Sequence, residues 1–285
     1  MGRIFTWEEV AEHKVPQTTS FITVFEYLAR ELAEKEPIRD ILVCGSMLRG
    51  EHNIRSDVDG LVTYRQEEEG EAIAALQEAT IFANSLYVPL ELIPVSIGEA
   101  RLSLHDIKPA FANHLLWAEV TGIIKGHPLG LFRFDHMTTI TADTRNYLKN
   151  KLGRLLKDWA AFPIMSEKEQ CRALRKVVET PLRVARKVLE TRGFNVHIHG
   201  KKRLVSSYCE MFGGELTKML VRLQDVDQEY TNDLYDHVFN PNQTGYQTCI
   251  EKLKTAVPTV CQFVRLNLQM FVEPITNDLP PFPIS

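Results

Sequence analysis

The stretch Ile41-Leu42-Val43-Cys44-Gly45-Ser46-Met47-Leu48-Arg49-Gly50, followed by Ser56-Asp57-Val58-Asp59-Gly60-Leu61-Val62, decides how the rest of the chain is read. Its first four residues form a continuous apolar run that ends in Gly-Ser, the pattern of a buried strand entering a tight turn. Val58 to Tyr64 reads as a second strand. Residues two apart on a strand share a face, so Asp57 and Asp59 project together while Val58 points into the core. Two adjacent carboxylates repel each other and are costly unless a cation lies between them. Hard oxygen ligands of this kind suit Mg²⁺, which takes one or two carboxylates and fills its remaining positions with water and phosphate oxygens.

A D-x-D pair alone carries little weight. The chain has 12 Asp among 285 residues, so chance supplies about half of one such pair. A second copy, Asp225-Val226-Asp227, falls in a helical pattern, where the side chains diverge, and it reads as solvated surface. The surroundings distinguish the first copy. Gly45 lets backbone approach a phosphate closely, and Ser46 is placed to cap a short helix whose free N–H groups make an anion site. Arg49 adds a charge-assisted contact or holds the loop by pairing with a carboxylate.

Working outward, residues 20–35 repeat apolar positions at helical spacing up to Pro37. A helix is expected over 67–83, a third strand over 86–95 with Pro89 near its start, a helix over 109–118 and a short strand over 121–125. The second half changes character. Leu148, Leu152, Leu155, Leu156 and Trp159 mark one apolar helical face. Residues 168–191 form a helical pattern that Pro181 is expected to kink or split. Further helical patterns cover 206–230 and 246–272, the last interrupted by Pro258. The expected architecture is an α/β (α+β) domain over 1–135 and an all-α domain over 136–285. The tail DLPPFPIS reads as an extended, proline-rich end.

Composition sets the class. A content of 44% hydrophobic and 25% charged residues is that of a soluble globular protein. No apolar run is long enough to span a membrane, and the N-terminus lacks a signal-peptide core, so no membrane partner and a cytoplasmic location are expected. Five cysteines without a C-x-x-C pair suggest neither a disulfide framework nor a zinc site. Residues 1–135 hold 12 Lys/Arg against 21 Asp/Glu, and the remainder 21 against 16. An acidic half joined to a basic half suits a site with metal ions on one wall and phosphates on the other. The net charge of −4 argues against a dedicated binder of long nucleic acid. His197-Ile198-His199 and the basic trio Lys201-Lys202-Arg203 are set aside as surface, and no P-loop or Rossmann glycine pattern occurs.

With these residues in hand, the pattern resembles the signature of the DNA polymerase β-like nucleotidyltransferase superfamily: an apolar strand, Gly-Ser, a spacer of ten residues, then Asp-x-Asp flanked by apolar residues. Arg49-Gly50 and Ser56 resemble its small bacterial branch, with antibiotic nucleotidyltransferases and minimal nucleotidyltransferases. The likeness extends in element order over roughly residues 20–130. It implies a nucleotidyltransferase-fold N-terminal domain with a mixed sheet, a third catalytic carboxylate on a later strand, and two Mg²⁺ ions. Glu91 fits that position, being a lone acid in an apolar strand pattern, where a buried unpaired charge would be expensive. The implied catalytic and metal-binding set is Asp57, Asp59 and Glu91, with Gly45, Ser46, Arg49, Ser56 and Lys151 at the nucleotide. Lys157 is an alternative phosphate contact, and Glu119 and Glu179 are alternative general bases. The implied substrate is a nucleoside triphosphate, ATP in the first instance, and the acceptor a small molecule or a protein. Template-independent addition to RNA, synthesis of a nucleotide second messenger, and a non-catalytic nucleotide-binding role remain as alternatives. The oligomeric state stays open.

Overall fold

The computed structural model describes residues 2–102, 122–126, 140–194 and 200–271. The helix expected over 109–118, Glu119, His197, His199 and the tail after residue 277 lie outside the described residues.

The apolar run becomes β1 (Ile38–Cys44), and the stretch beginning at Val58 becomes β2 (Val58–Tyr64). With β3 (Leu90–Ser96) and β4 (Ile123–Lys125) they form a four-stranded sheet in the order β3-β2-β1-β4. β1 pairs antiparallel with both β2 and β4, while β2 pairs parallel with β3, so the sheet is mixed. β1 is flanked on both sides, and all its residues except Arg39 are buried, which explains its near-continuous apolar sequence.

Side-chain alternation along β2 separates two tasks. Val58 and Val62 join Ile41 and Val43 in a core covered by α2 (Thr18–Tyr27) and α3 (Glu69–Ser85). Phe21, Val24, Leu28 and Leu32 come from the first helix and the π-helical turn that extends it to Leu32; Ala72, Ala75, Leu76, Ala79 and Ala83 come from the second. The small alanines let α3 lie close to the sheet. Asp59, one position out of phase with the two valines, faces the other way.

The second half is helical: α5 (Ile140–Ala161), α6 (Glu167–Glu190), α7 (Lys201–Phe212), α8 (Gly214–Phe239) and α9 (Gln243–Gln269), preceded in chain order by the short α1 (Trp7–Ala11) and α4 (Ile97–Leu102). α9 packs against α5, α6 and α8 and forms the centre of this bundle. Three expectations are corrected. The pattern over 206–230 is broken into α7 and α8 at Gly213-Gly214, both at positive φ (53° and 60°), a conformation open to glycine and costly for other residues. Of the kink or split expected at Pro181, the split is absent, since α6 runs unbroken through it. Pro258 likewise sits inside a continuous α9. In both helices the residues flanking the proline are buried (Val177, Val178, Leu182 and Val184; Ala256, Val257 and Val260), and that burial outweighs one missing backbone bond and about 3 kcal/mol of ring clash.

The two halves share a core. Ile4, Phe5, Val10, Val15 and Ile54 are buried among Leu174 and Val178 of α6, Tyr230 and Leu234 of α8, and Tyr246, Ile250 and Leu253 of α9. The Tyr246 hydroxyl donates to the Phe5 carbonyl at 2.7 Å. Among the described residues no helix is long and apolar enough to cross a membrane, and the five cysteines are free thiols.

Candidate active site

Strand register builds the acidic centre. Asp59 on β2 lies beside Glu91 on the parallel β3 and opposite Cys44, the last residue of β1. Asp57 immediately precedes β2. Oxygens of Asp57, Asp59 and Glu91 all lie within 4.8 Å of one another. The three expected carboxylates therefore converge. One part of the expectation is corrected: Glu91 is exposed, because among the described residues β3 is an edge strand whose outer face also shows Ile93. Register with Asp59 places it in the cluster; the cost of a buried charge does not.

The cluster is charged beyond comfort. Burial, then the neighbouring Asp57 and Glu91 carboxylates, push the Asp59 carboxyl from 3.8 up to about 7, with Arg183 pulling the other way. A set of hard oxygens that holds a proton near neutrality is a donor set short of a cation, and its size and chemistry fit Mg²⁺.

Gly45 has φ +96°, and a Cβ there would lie 3.3 Å from an Asp59 carboxylate oxygen, so a side chain would crowd the cluster. The Gly-Ser segment continues as turns over residues 46–50, so no helix starts at Ser46 and the expected helix cap is absent. Turn hydrogen bonds hold it instead, Gly50 N–H to the Met47 carbonyl at 3.1 Å and Glu51 N–H to the Ser46 carbonyl at 3.0 Å. Ser46 and Ser56 are both buried; the Ser46 hydroxyl donates to that of Ser56 at 3.3 Å, which also accepts from Asn53 N–H at 3.0 Å. These bonds tie the turn to the residue before Asp57. Arg49 holds the loop by pairing with Glu51 at 2.9 Å.

The opposing wall comes from α6, and most of it was absent from the expected set. Arg175 donates to Asp57 Oδ2 at 2.8 Å and to Glu179 Oε1 at 2.7 Å, and Arg183 meets Glu179 Oε2 at 2.8 Å. The spacing Arg175-x-x-x-Glu179-x-x-x-Arg183 puts all three on one helical face, a signal legible in the sequence; the pairing with Asp57, 118 positions away, is not. Glu179, an alternative general base at the sequence level, is buried between these guanidiniums. Burial raises its pKa, but Arg183 and Arg175 outweigh that and hold it below the usual carboxylate range. It is an anchor and a poor base.

Lys151 on α5 sits over the Tyr147 ring, 5.5 Å from its centroid. Burial first, then the nearby Arg183, lower its pKa to about 8, against the pull of Glu179. It thus belongs to the same basic wall, which continues to Arg186, whose neighbours include Arg49. Lys157 is exposed on another face of α5.

The second D-x-D is corrected in part. Asp225 is exposed, as expected, but Asp227 is the partner of Arg55. Arg55 is only 2% exposed. Its guanidinium donates to Asp227 Oδ1 at 2.8 Å, Thr231 Oγ1 at 2.5 Å, the Arg3 carbonyl at 3.1 Å and the Gly2 carbonyl at 3.3 Å, and lies over the Tyr230 ring. Two residues before Asp57, the loop is thereby fastened to α8 and to the start of the chain.

No curated protein matches the chain. Residues 26–107 match the family model described as "Nucleotidyltransferase domain", a span that contains β1, β2 and β3, so this part of the chain is a nucleotidyltransferase domain carrying Asp57, Asp59 and Glu91 as a candidate catalytic cluster.

Proposed function

We propose that the chain transfers a nucleoside monophosphate, AMP from ATP, to a hydroxyl group of a small molecule or a protein and releases pyrophosphate, as the small bacterial branch of the superfamily does. The observation that carries this reading is the convergence of three carboxylates from neighbouring strands, beside the Gly45-Ser46 turn and facing a wall of arginine and lysine.

Asp57, Asp59 and Glu91 would hold Mg²⁺, two ions in the full complex. Held by these residues, such ions would supply neutralising charge to the triphosphate and to the transition state of an in-line displacement. The protein supplies the rest. Gly45 and Ser46, with Arg49 and Ser56 holding the loop in shape, leave room for phosphate close to Asp59. Lys151 and Arg183 on the opposite wall offer cations for the β and γ phosphates and draw charge toward the leaving group. The acceptor oxygen forms a bond to the α-phosphorus as the bond to the bridging oxygen breaks. Glu91, the exposed member of the cluster, either completes the second metal site or takes the hydroxyl proton. The acceptor enters between the sheet and the helical bundle, where the two walls face each other.

The test uses α-labelled ATP and Mg²⁺ with the small-molecule and protein fractions of a cell extract supplied separately as acceptors. The wild type is expected to label one fraction and release pyrophosphate. Asp57→Ala and Asp59→Ala should abolish this, a loss of at least about a thousandfold for groups stabilising transition-state charge, with circular dichroism unchanged. Undiminished labelling in both variants would remove the proposal.

A further inference from the structure

The position of Arg175 raises a question that the acidic cluster alone does not. Its guanidinium lies 2.8 Å from Asp57 Oδ2, within a set of carboxylates suited to a cation, and it reaches there from a helix of the other half of the chain. It is also held from behind, Nε to Glu179 Oε1 at 2.7 Å, while Arg183 occupies the other oxygen of Glu179 at 2.8 Å. Glu179 is buried and doubly paired, so it is a fixed pivot. With Nε anchored on Glu179, the terminal amino groups of the planar guanidinium are able to change partner.

We infer that Arg175 is an exchangeable counter-charge: without metal it neutralises Asp57, and when the cluster takes up a divalent cation it releases Asp57 and turns, still anchored on Glu179, to a phosphate of the incoming nucleotide. This rests on the nucleotidyltransferase reading of the site. Electrostatics favours the exchange. The guanidinium beside Asp57 satisfies one member of a crowded acidic group, which then competes for it with metal. Once a divalent cation neutralises the carboxylates, the same positive charge is worth more beside a triphosphate. One side chain thus couples the two binding events: metal frees the arginine, and the arginine favours the anion. Arg183 supplies the control, because it pairs with the same Glu179 but makes no ion pair with Asp57 among the described residues.

The experiment measures Mg²⁺ alone, by titration calorimetry on the full chain without nucleotide, and then inorganic tripolyphosphate in saturating Mg²⁺. Arg175→Met should bind Mg²⁺ about tenfold more tightly than wild type, within the one to three logarithmic units by which an adjacent opposite charge biases a carboxylate. It should bind tripolyphosphate about tenfold more weakly. Arg183→Met should tighten Mg²⁺ binding much less. If Arg175→Met does not fold, Arg175→Lys is scored the same way, since a single ammonium cannot bridge Glu179 and Asp57 as a fork does. Unchanged or weaker Mg²⁺ binding in the Arg175 variant, an equal gain in Arg183→Met, or undiminished tripolyphosphate binding each overturn the inference while leaving the site intact. Wild-type Mg²⁺ binding that Asp59→Asn fails to abolish overturns the metal reading of the cluster, and the inference with it.

Discussion

At the scale of single residues, the acidic centre is a case of like charges held together at a cost. Asp59 titrates near 7 because burial and two like charges disfavour its ionised form. In the unfolded chain the same carboxyl ionises near its ordinary value of about 3.9. Below that value both states hold the proton and no penalty arises. As pH rises from there toward about 7 the unfolded state gives up this proton while the folded state keeps it, so metal-free stability falls across this window and levels off once the folded carboxyl also ionises. Asp59→Asn carries no such penalty. In EDTA at pH 8 it should unfold at a higher temperature than wild type, by on the order of 2 kcal/mol in stability, and the gain should shrink at pH 5. Added Mg²⁺ should reverse the order at pH 8 by stabilising wild type alone, because ligands bind metal deprotonated. Thermal unfolding with and without Mg²⁺ at the two pH values checks this. A variant no more stable than wild type in EDTA at pH 8 would show that the carboxylates do not strain one another.

At the scale of elements, the parts that announce themselves in the sequence are those whose causes are local. β1 and β2 follow from a continuous apolar run and from Val58 and Val62 alternating with Asp59, and α3 from its apolar spacing. β3, expected over 86–95, runs over Leu90–Ser96, and its environment is not legible in the sequence, since being an edge strand depends on which strand does or does not lie beside it. The role of Arg55 had no local signal at all. Its partners Gly2, Arg3, Asp227 and Thr231 lie 52 to 176 positions away, and only the fold makes them neighbours. That same distance makes the clamp testable. Breaking a buried pair by removing one partner costs about 3–5 kcal/mol, although Asp227 keeps Lys201, 3.7 Å away, when Arg55 is lost. Arg55→Met and Asp227→Asn should each destabilise on this order. The double variant should cost less than the sum of the two, by about 1–3 kcal/mol, read from urea unfolding. Additive losses would mean that Arg55 depends on its carbonyl and ring contacts rather than on Asp227.

At the scale of the whole molecule, the family match covers residues 26–107, yet the side chains around the acidic cluster come from both halves, since Arg175, Glu179, Arg183 and Lys151 lie on helices beyond the matched span. The packing makes the same point energetically. Ile4, Phe5, Val10, Val15 and Ile54, all within the first 135 residues, are buried against α6, α8 and α9. Exposing five such side chains costs about 2 kcal/mol each, on the order of 10 kcal/mol in all, which is comparable to the whole stability of an ordinary domain, about 5–15 kcal/mol. A fragment ending at residue 135 should therefore lack a cooperative thermal transition, bind a hydrophobic dye, and show no stabilisation by Mg²⁺, whereas the full chain unfolds in one transition that Mg²⁺ shifts upward. The alternative outcome is equally readable. A fragment that melts cooperatively and still responds to Mg²⁺ would make the sheet an autonomous unit, with the helical half reduced to supplying the phosphate-facing wall. The acidic balance of residues 1–135 against the basic balance of the remainder favours the first result. An isolated acidic half would keep its mutually repelling carboxylates and lose the guanidinium that now sits among them.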